Sequence, residues 1–192
     1  MKPKIIATAA VSIDGRIARS AEHASTWTSK ADKVFLRGIL ERADVIVVGA
    51  RTYSISPPLQ KRHCIVFTRG IPDKKTEGNT CTFFNPEGPT PVSALLAPYR
   101  TVVVQGGTQV YSYFLEADLI DSLYITIEPV VFGRGIPFVN LSTDLLNKFV
   151  LISADRLNTG GALLLHYRRD VRSSIDGPGQ AAGTDISSLN YA

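Results

Sequence analysis

A three-layer α/β/α domain, with helices on both faces of a mixed, mostly parallel sheet, is the fold class that this sequence predicts. Three observations predict it: short apolar runs bounded by turn residues, amphipathic patterns threaded between those runs, and a final pair of strands joined by small residues. The 192 residues are 44% apolar and 20% charged, enough to close one core without a disulfide or metal and short for two.

The elements follow in order along the chain. Lys4 to Val11 is rich in Ile, Ala and Thr and alternates little, as a buried first strand does, and Asp14-Gly15 turns it. Ser29 is placed to cap a helix in which Ala31, Val34, Phe35, Gly38 and Ile39 share one face, running to about Arg42. Val45 to Gly49 and His63 to Thr68 read as buried strands. Residues 70–91 hold Gly70, Pro72, Gly78, Pro86, Gly88, Pro89 and Pro91 around one expected strand, Thr80 to Phe84. Thr101 to Gln105 is another buried strand, closed by Gly106-Gly107 and followed by a helix from Thr108 to about Ala117. Ser122 to Val131 alternates, which predicts a strand with a more exposed face. Lys148 to Leu157 and Ala162 to Arg168, joined by Asn158-Thr159-Gly160-Gly161, form an expected antiparallel hairpin. The domain is thus expected over 1–170, with a flexible tail of Gly, Ser, Ala and Gln over 171–192.

Composition narrows the function. The pI is near 9.1, yet the basic residues form no block longer than two, whereas a protein that tracks nucleic-acid phosphates clusters them on a stripe. A small anionic ligand fits better than nucleic acid. The longest apolar runs are four to six residues, far below a membrane span, and no secretory signal pattern follows Lys2 and Lys4. A soluble, cytoplasmic protein is expected. Cys64 and Cys81 lack metal or redox spacing, so reduced, buried thiols are expected. His23, His63 and His166 are too dispersed to suggest a metal site.

Ligands in such sheets bind outside the carboxyl ends of the strands, where three loops leave: after Val11, after Gly49 and after Gln105. Gly106-Gly107 between strand and helix lets backbone approach a phosphate at the helix start, or is simply a tight turn. Arg51-Thr52 and Thr68-Arg69 at two strand ends could bracket one phosphate, or be solvated surface residues. Asp32, five residues beyond the single tryptophan Trp27, suits proton transfer from a buried acid; it equally completes a near-match to a capping box with Ser29. Asp14 is explained either by a site or by its Asp-Gly turn.

The sequence Val11-Ser12-Ile13-Asp14-Gly15-Arg16-Ile17-Ala18, Trp27-Thr28-Ser29, Val47-Val48-Gly49 with Arg51-Thr52, Val104-Gln105-Gly106-Gly107, Ile120-Asp121, Glu128-Pro129 and Gly133 with Gly135-Ile136-Pro137 resembles the reductase domain of the riboflavin pathway. That domain is the C-terminal half of a bifunctional deaminase-reductase and has the dihydrofolate reductase-like fold. The resemblance spans about residues 4–168 and implies reduction of the ribosyl group of a phosphoribosylaminopyrimidine to ribityl, with hydride from NADPH, by a homodimer. It implies cofactor contacts at Ala10, Trp27, Gly49, Arg51, Thr52, Thr68, Arg69, Gly106, Gly107, Thr108, Gln109 and Val110. Asp14, Arg16, Ser25 and Gln105 would face the substrate, Arg16 or Lys30 would hold its phosphate, and Asp32 would supply a proton. The zinc-deaminase motif is absent from the sequence, so a stand-alone reductase is implied.

Two departures fall on the substrate side. Ser54-Ile55-Ser56-Pro57-Pro58 replaces an Asp-Asp-Pro segment usual in the family, and Gln105 replaces the usual acid before the glycine pair. They admit two alternatives: pterin reduction in the manner of dihydrofolate reductase, for which Asp32 sits where the pterin-binding acid would, or an NADPH-binding relative without catalysis.

Overall fold

Runs of Val and Ile, whose successive side chains point to opposite faces of a strand, build a nine-stranded sheet at the centre of this chain. The computed structural model describes residues 2–22, 25–142 and 149–170; the tail expected from Val171 lies outside the described residues, as does the side chain of Ser25. In chain order the elements are β1 (Lys4–Ser12), β2 (Arg16–Ala18), a 3-10 turn (Ser25–Trp27), α1 (Lys30–Leu40), β3 (Val45–Gly49), α2 (Ala50–Ser54), α3 (Pro57–Gln60), β4 (Cys64–Phe67), β5 (Lys74–Glu77), β6 (Cys81–Phe84), α4 (Val92–Leu96), β7 (Thr101–Val104), α5 (Thr108–Glu116), β8 (Ser122–Glu128), β9 (Ile136–Pro137), β10 (Phe149–Arg156) and β11 (Leu163–Arg169).

The sheet runs β10-β11-β8-β1-β7-β3-β4-β6-β5, with β2 and β9 forming a separate two-stranded ribbon. Its middle, β8-β1-β7-β3-β4-β6, is parallel, and antiparallel pairs close both ends. Alternation within β3 shows the three layers: Val45 and Val47 join one core with α4 and α5, Ile46 and Val48 join another with α1 and α3. All four are at most 2% exposed, and full burial of each such side chain stabilises by roughly 1.5–3 kcal/mol. The loops at the strand ends therefore start from a fixed frame. No helix among the described residues is long and apolar enough to cross a membrane.

Three expectations need correction. In α1, Val34 is 66% exposed, while Asp32 and Leu40 are the buried residues; the helix is turned so that a carboxyl group, not a valine, meets the sheet. β8 ends at Glu128 and has both faces largely covered, because α1 lies over it, with Phe35 against Tyr124 at 5.4 Å between ring centroids. Residues 70–91 hold a second strand, β5, fully exposed at the sheet edge. Cys64 and Cys81 are buried free thiols on neighbouring strands. Burial pushes the Cys64 thiol up to about 12, which leaves it unreactive.

Candidate active site

The carboxyl ends of β1, β3, β4 and β7 open into one cleft of about 1140 Å³. Strand order fixes the sequence of groups along it. Trp27 and Asp32 stand by β8 and β1, Gln105 and the glycine pair by β7, Gly49, Arg51 and Thr52 by β3, and Thr68 and Arg69 by β4. Four strand spacings separate β8 from β4, roughly 19 Å, the length scale of an extended dinucleotide.

The middle of the cleft is backbone. Gly49 N–H donates to the Gly106 carbonyl at 2.8 Å, and Gln105 N–H to the Val47 carbonyl at 2.9 Å, tying the ends of β3 and β7 together. The Gly106–Gly107 peptide is cis and Gly106 has φ +91°. A Cβ on Gly106 would stand 2.7 Å from the Tyr111 ring, so only glycine fits. A Cβ on Gly107 would lie between Thr52 and Ile17, 3.8 and 4.0 Å away, in the space above the first N–H groups of α5. Those of Thr108 and Gln109 have no acceptor within the helix, the Val110 and Tyr111 N–H groups donating to the Gly107 carbonyl at 2.9 and 3.0 Å, and a nine-residue helix presents a positive end to an anion. This cradle fits a pyrophosphate. The Thr108 hydroxyl donates to the Pro137 carbonyl at 2.5 Å, pulling the β9 segment over the cleft.

At the β3–β4 end, Arg51 pairs with Glu22 at 3.7 Å and Arg69 with Glu87 at 2.6 Å. All four side chains are more than half exposed. Such pairs are worth at most about 1 kcal/mol, so a phosphate can take either guanidinium.

At the β8–β1 end stands Asp32, 6% exposed. The geometry separates the two readings of this residue. Ser29 does cap α1, its Oγ accepting the Asp32 N–H at 3.2 Å. The reciprocal half of the capping box comes from elsewhere, however, because the Ser29 N–H donates to Glu128 Oε1 at 2.7 Å. The Asp32 carboxyl is instead bonded by the hydroxyls of Thr126 and Thr28 and faces the cleft. Burial pushes it above the ordinary carboxylate range and the Glu128 charge adds to the shift, against the two hydroxyls and Lys33. Trp27 lines the same cleft and stands edge-on to Phe132, 4.9 Å between ring centroids.

Of the residues singled out in the sequence, Ala10, Trp27, Asp32, Gly49, Arg51, Thr52, Thr68, Arg69, Gln105, Gly106, Gly107, Thr108, Gln109 and Val110 line this one cleft. Asp14, Arg16 and Lys30 do not. Asp14 accepts from Ser12 Oγ at 2.6 Å, Phe132 N at 3.0 Å and Gly133 N at 2.8 Å, pinning the loop after β8. Arg16 reaches the Gly135 carbonyl at 3.5 Å. Ser25 opens the turn that carries Trp27. Lys33 and Tyr111 line the cleft without having been singled out, and Ser56, from the segment that departs from the family pattern, lines it too. Gln105 brings to it a side-chain oxygen that is buried and, among the described residues, without a hydrogen-bond partner. Among the described residues no three His, Cys, Asp or Glu gather as a metal site would require.

The model of the RibD C-terminal domain matches residues 3–68 and 65–158. The Bacillus subtilis (strain 168) protein YwjB, whose own function is uncharacterized, is 31% identical over 180 residues, covering 88% of this chain and 99% of YwjB. The fold is shared with the Thermotoga maritima diaminohydroxyphosphoribosylaminopyrimidine deaminase/5-amino-6-(5-phosphoribosylamino)uracil reductase, at TM-score 0.67 and 18% identity over 88% of this chain and 57% of that one. It is shared also with Enterococcus faecalis dihydrofolate reductase, solved with NADP(H), at TM-score 0.61 and 22% identity over 88% and 98%.

Proposed function

The chain belongs to the RibD C-terminal domain family, and from that premise we propose that it is an NADPH-dependent reductase that converts the ribosyl group of a phosphorylated ribosylaminopyrimidine to ribityl. The observation that carries the reading is the order of groups along one cleft: a buried acid beside an aromatic ring, a backbone cradle at a helix start, then two arginines with two threonine hydroxyls. Gly106, Gly107 and Thr108 to Val110 suit the pyrophosphate, and Arg51, Thr52, Thr68 and Arg69 suit the 2′-phosphate. NADPH supplies the hydride when bound.

The chain's own residues then do three things. Trp27 and Ala10 shape the wall against which the reacting rings lie. Asp32 donates the proton that the reduced product needs, so that one hydride and one proton are added for each ribosyl group opened. Gln105 offers its buried oxygen to a substrate hydroxyl or N–H, and Lys33, beside Asp32 on the cleft wall, takes the place proposed for Arg16 or Lys30 in holding a substrate phosphate.

A second reading, reduction of a pterin-like ring, is favoured by the buried Asp32 itself, since an acid bonded to Thr126 at the cleft wall suits a protonated ring nitrogen. The test begins with titration of the protein by NADPH and by NADH, following fluorescence of Trp27. Quenching at micromolar NADPH with much weaker response to NADH is expected; no binding of either would overturn the reading. Turnover is then compared on the ribosylaminopyrimidine phosphate, its dephosphorylated form and dihydrofolate. Binding without turnover of any of them would mark a relative that has lost its chemistry.

A further inference from the structure

Behind the wall of the cleft lies a second carboxyl group that this reading does not use. Glu128, the last residue of β8, is 3% exposed and does not line the cleft. Among the described residues neither Glu128 nor Asp32 belongs to an ion pair. Thr126 and Glu128, two apart on β8, share one face of the strand, and both grip the first turn of α1. Thr126 bonds the Asp32 carboxyl; Glu128 Oε1 accepts the Ser29 N–H at 2.7 Å; Ser29 Oγ accepts the Asp32 N–H at 3.2 Å. The result is a closed clamp of strand and helix around Asp32.

The hydrogen bond to Ser29 does not by itself require an acid, because a glutamine oxygen would accept it as well. Burying a second carboxyl group next to the first is costly, since among the described residues no cation pairs with either and two carboxyl groups at one site oppose each other's ionisation. We propose that Glu128 is a positioning residue for the reduction: it anchors the start of α1 to β8 and places a second carboxyl group at that helix start, so that Asp32 is held facing the cleft as the acid of the reaction. The inference rests on the reductase reading above for its purpose, though not for its geometry.

The other groups facing Asp32 are accounted for. Lys33, its exposed neighbour on α1, acts in the opposite sense, and Thr28 and Thr126 donate hydroxyls. Tyr111, across on α5, gives its hydroxyl to the Thr8 carbonyl at 2.6 Å and is itself pushed up by burial and by Asp32. Glu128 alone among these adds negative charge without touching the cleft.

The experiment is a pH titration of the Asp32 carboxyl by carbon-13 NMR in the full chain without substrate, for wild type and Glu128→Gln. The expected result is a midpoint at lower pH in the variant, with the basic limb of kcat/KM displaced the same way and the Asp32 proton lost over the same interval. An unchanged midpoint overturns the proposal, whatever the activity. A lowered midpoint in a protein that reduces nothing upholds the coupling and removes the reductase reading instead. Should Glu128→Gln not fold, Glu128→Ser, which also removes the carboxyl group, takes its place, and an Asp32 midpoint that stays where it is in wild type overturns the proposal equally.

Discussion

Asp14 and Asp32 occupy similar places in the sequence, each beside a turn, and their surroundings drive them in opposite directions. The Ser12 hydroxyl, then the N–H groups of Phe132 and Gly133, hold Asp14 down to about 2 against the opposing effect of burial. A carboxylate whose folded-state pKa is depressed contributes stability that is present above its unfolded value and is lost as pH falls through the folded one. Asp14→Asn is therefore expected to lower Tm at pH 7, with the difference from wild type shrinking as pH falls from near 4 toward 2; thermal melts across that range check it. Asp32 has the reverse sign, since burial favours its neutral form. The folded state holds that proton more tightly than the unfolded chain, so the cost of Asp32 grows as pH rises above the unfolded value. Asp32→Asn is expected to raise Tm relative to wild type increasingly with pH while abolishing most turnover. A Tm difference that is flat with pH would contradict the burial argument.

Helix α1 carries the acid into the cleft, and its capping residue is the element-scale lever. Ser29→Ala removes the hydroxyl that accepts the Asp32 N–H and is expected to cost about 1 kcal/mol, read as a lower midpoint in urea denaturation. Because Glu128 still holds the Ser29 N–H, the helix should keep its place and the variant should still bind NADPH. The elements legible in the sequence, β1, β3, β4, β6, β7, β8, α1, α5 and the hairpin, are those with an apolar run or period of their own or, for the hairpin, a turn of small residues. β5 was not legible because Lys74-Lys75-Thr76-Glu77 is polar on both faces, as an exposed edge strand can be. The β2–β9 ribbon pairs Arg16 with Pro137, far apart in the chain, and leaves no local pattern. β8 misled for a specific reason: Thr126 and Glu128 read as a solvent face, yet at 2% and 3% exposure they are polar because α1 brings a carboxyl group and a capping N–H against them. The orientation of α1 and the apparent exposure of β8 are thus one misreading, caused by a buried polar contact between two elements that neither reveals alone.

At the scale of the whole molecule the cleft draws on loops scattered along the chain, and the strand order is what brings them to one edge. Most of the residues that motif resemblance singled out line the cleft; it did not separate Asp14 and Arg16, which build the loop after β8, from those that face the cleft. The opposite end of the sheet raises a different question. β10 is an edge strand in which the consecutive residues Val150, Leu151 and Ile152 are 47%, 50% and 45% exposed. Val150 and Leu151 point to opposite faces and Ile152 sits at a register shift, so this edge presents apolar side chains on both faces along with backbone groups that no other described strand pairs, a template for another chain. We propose that it meets β10 of a second copy about a two-fold axis, the homodimer expected from the family resemblance, because a two-fold contact buries the same patch on both partners and closes on itself. Sedimentation at micromolar concentration is expected to give a dimer, and Leu151→Lys a monomer. No hairpin residue lines the cleft, so NADPH quenching of Trp27 should be unchanged in that variant. A wild-type chain that sediments as a monomer would refute the dimer, and a Leu151→Lys dimer would move the interface off this edge.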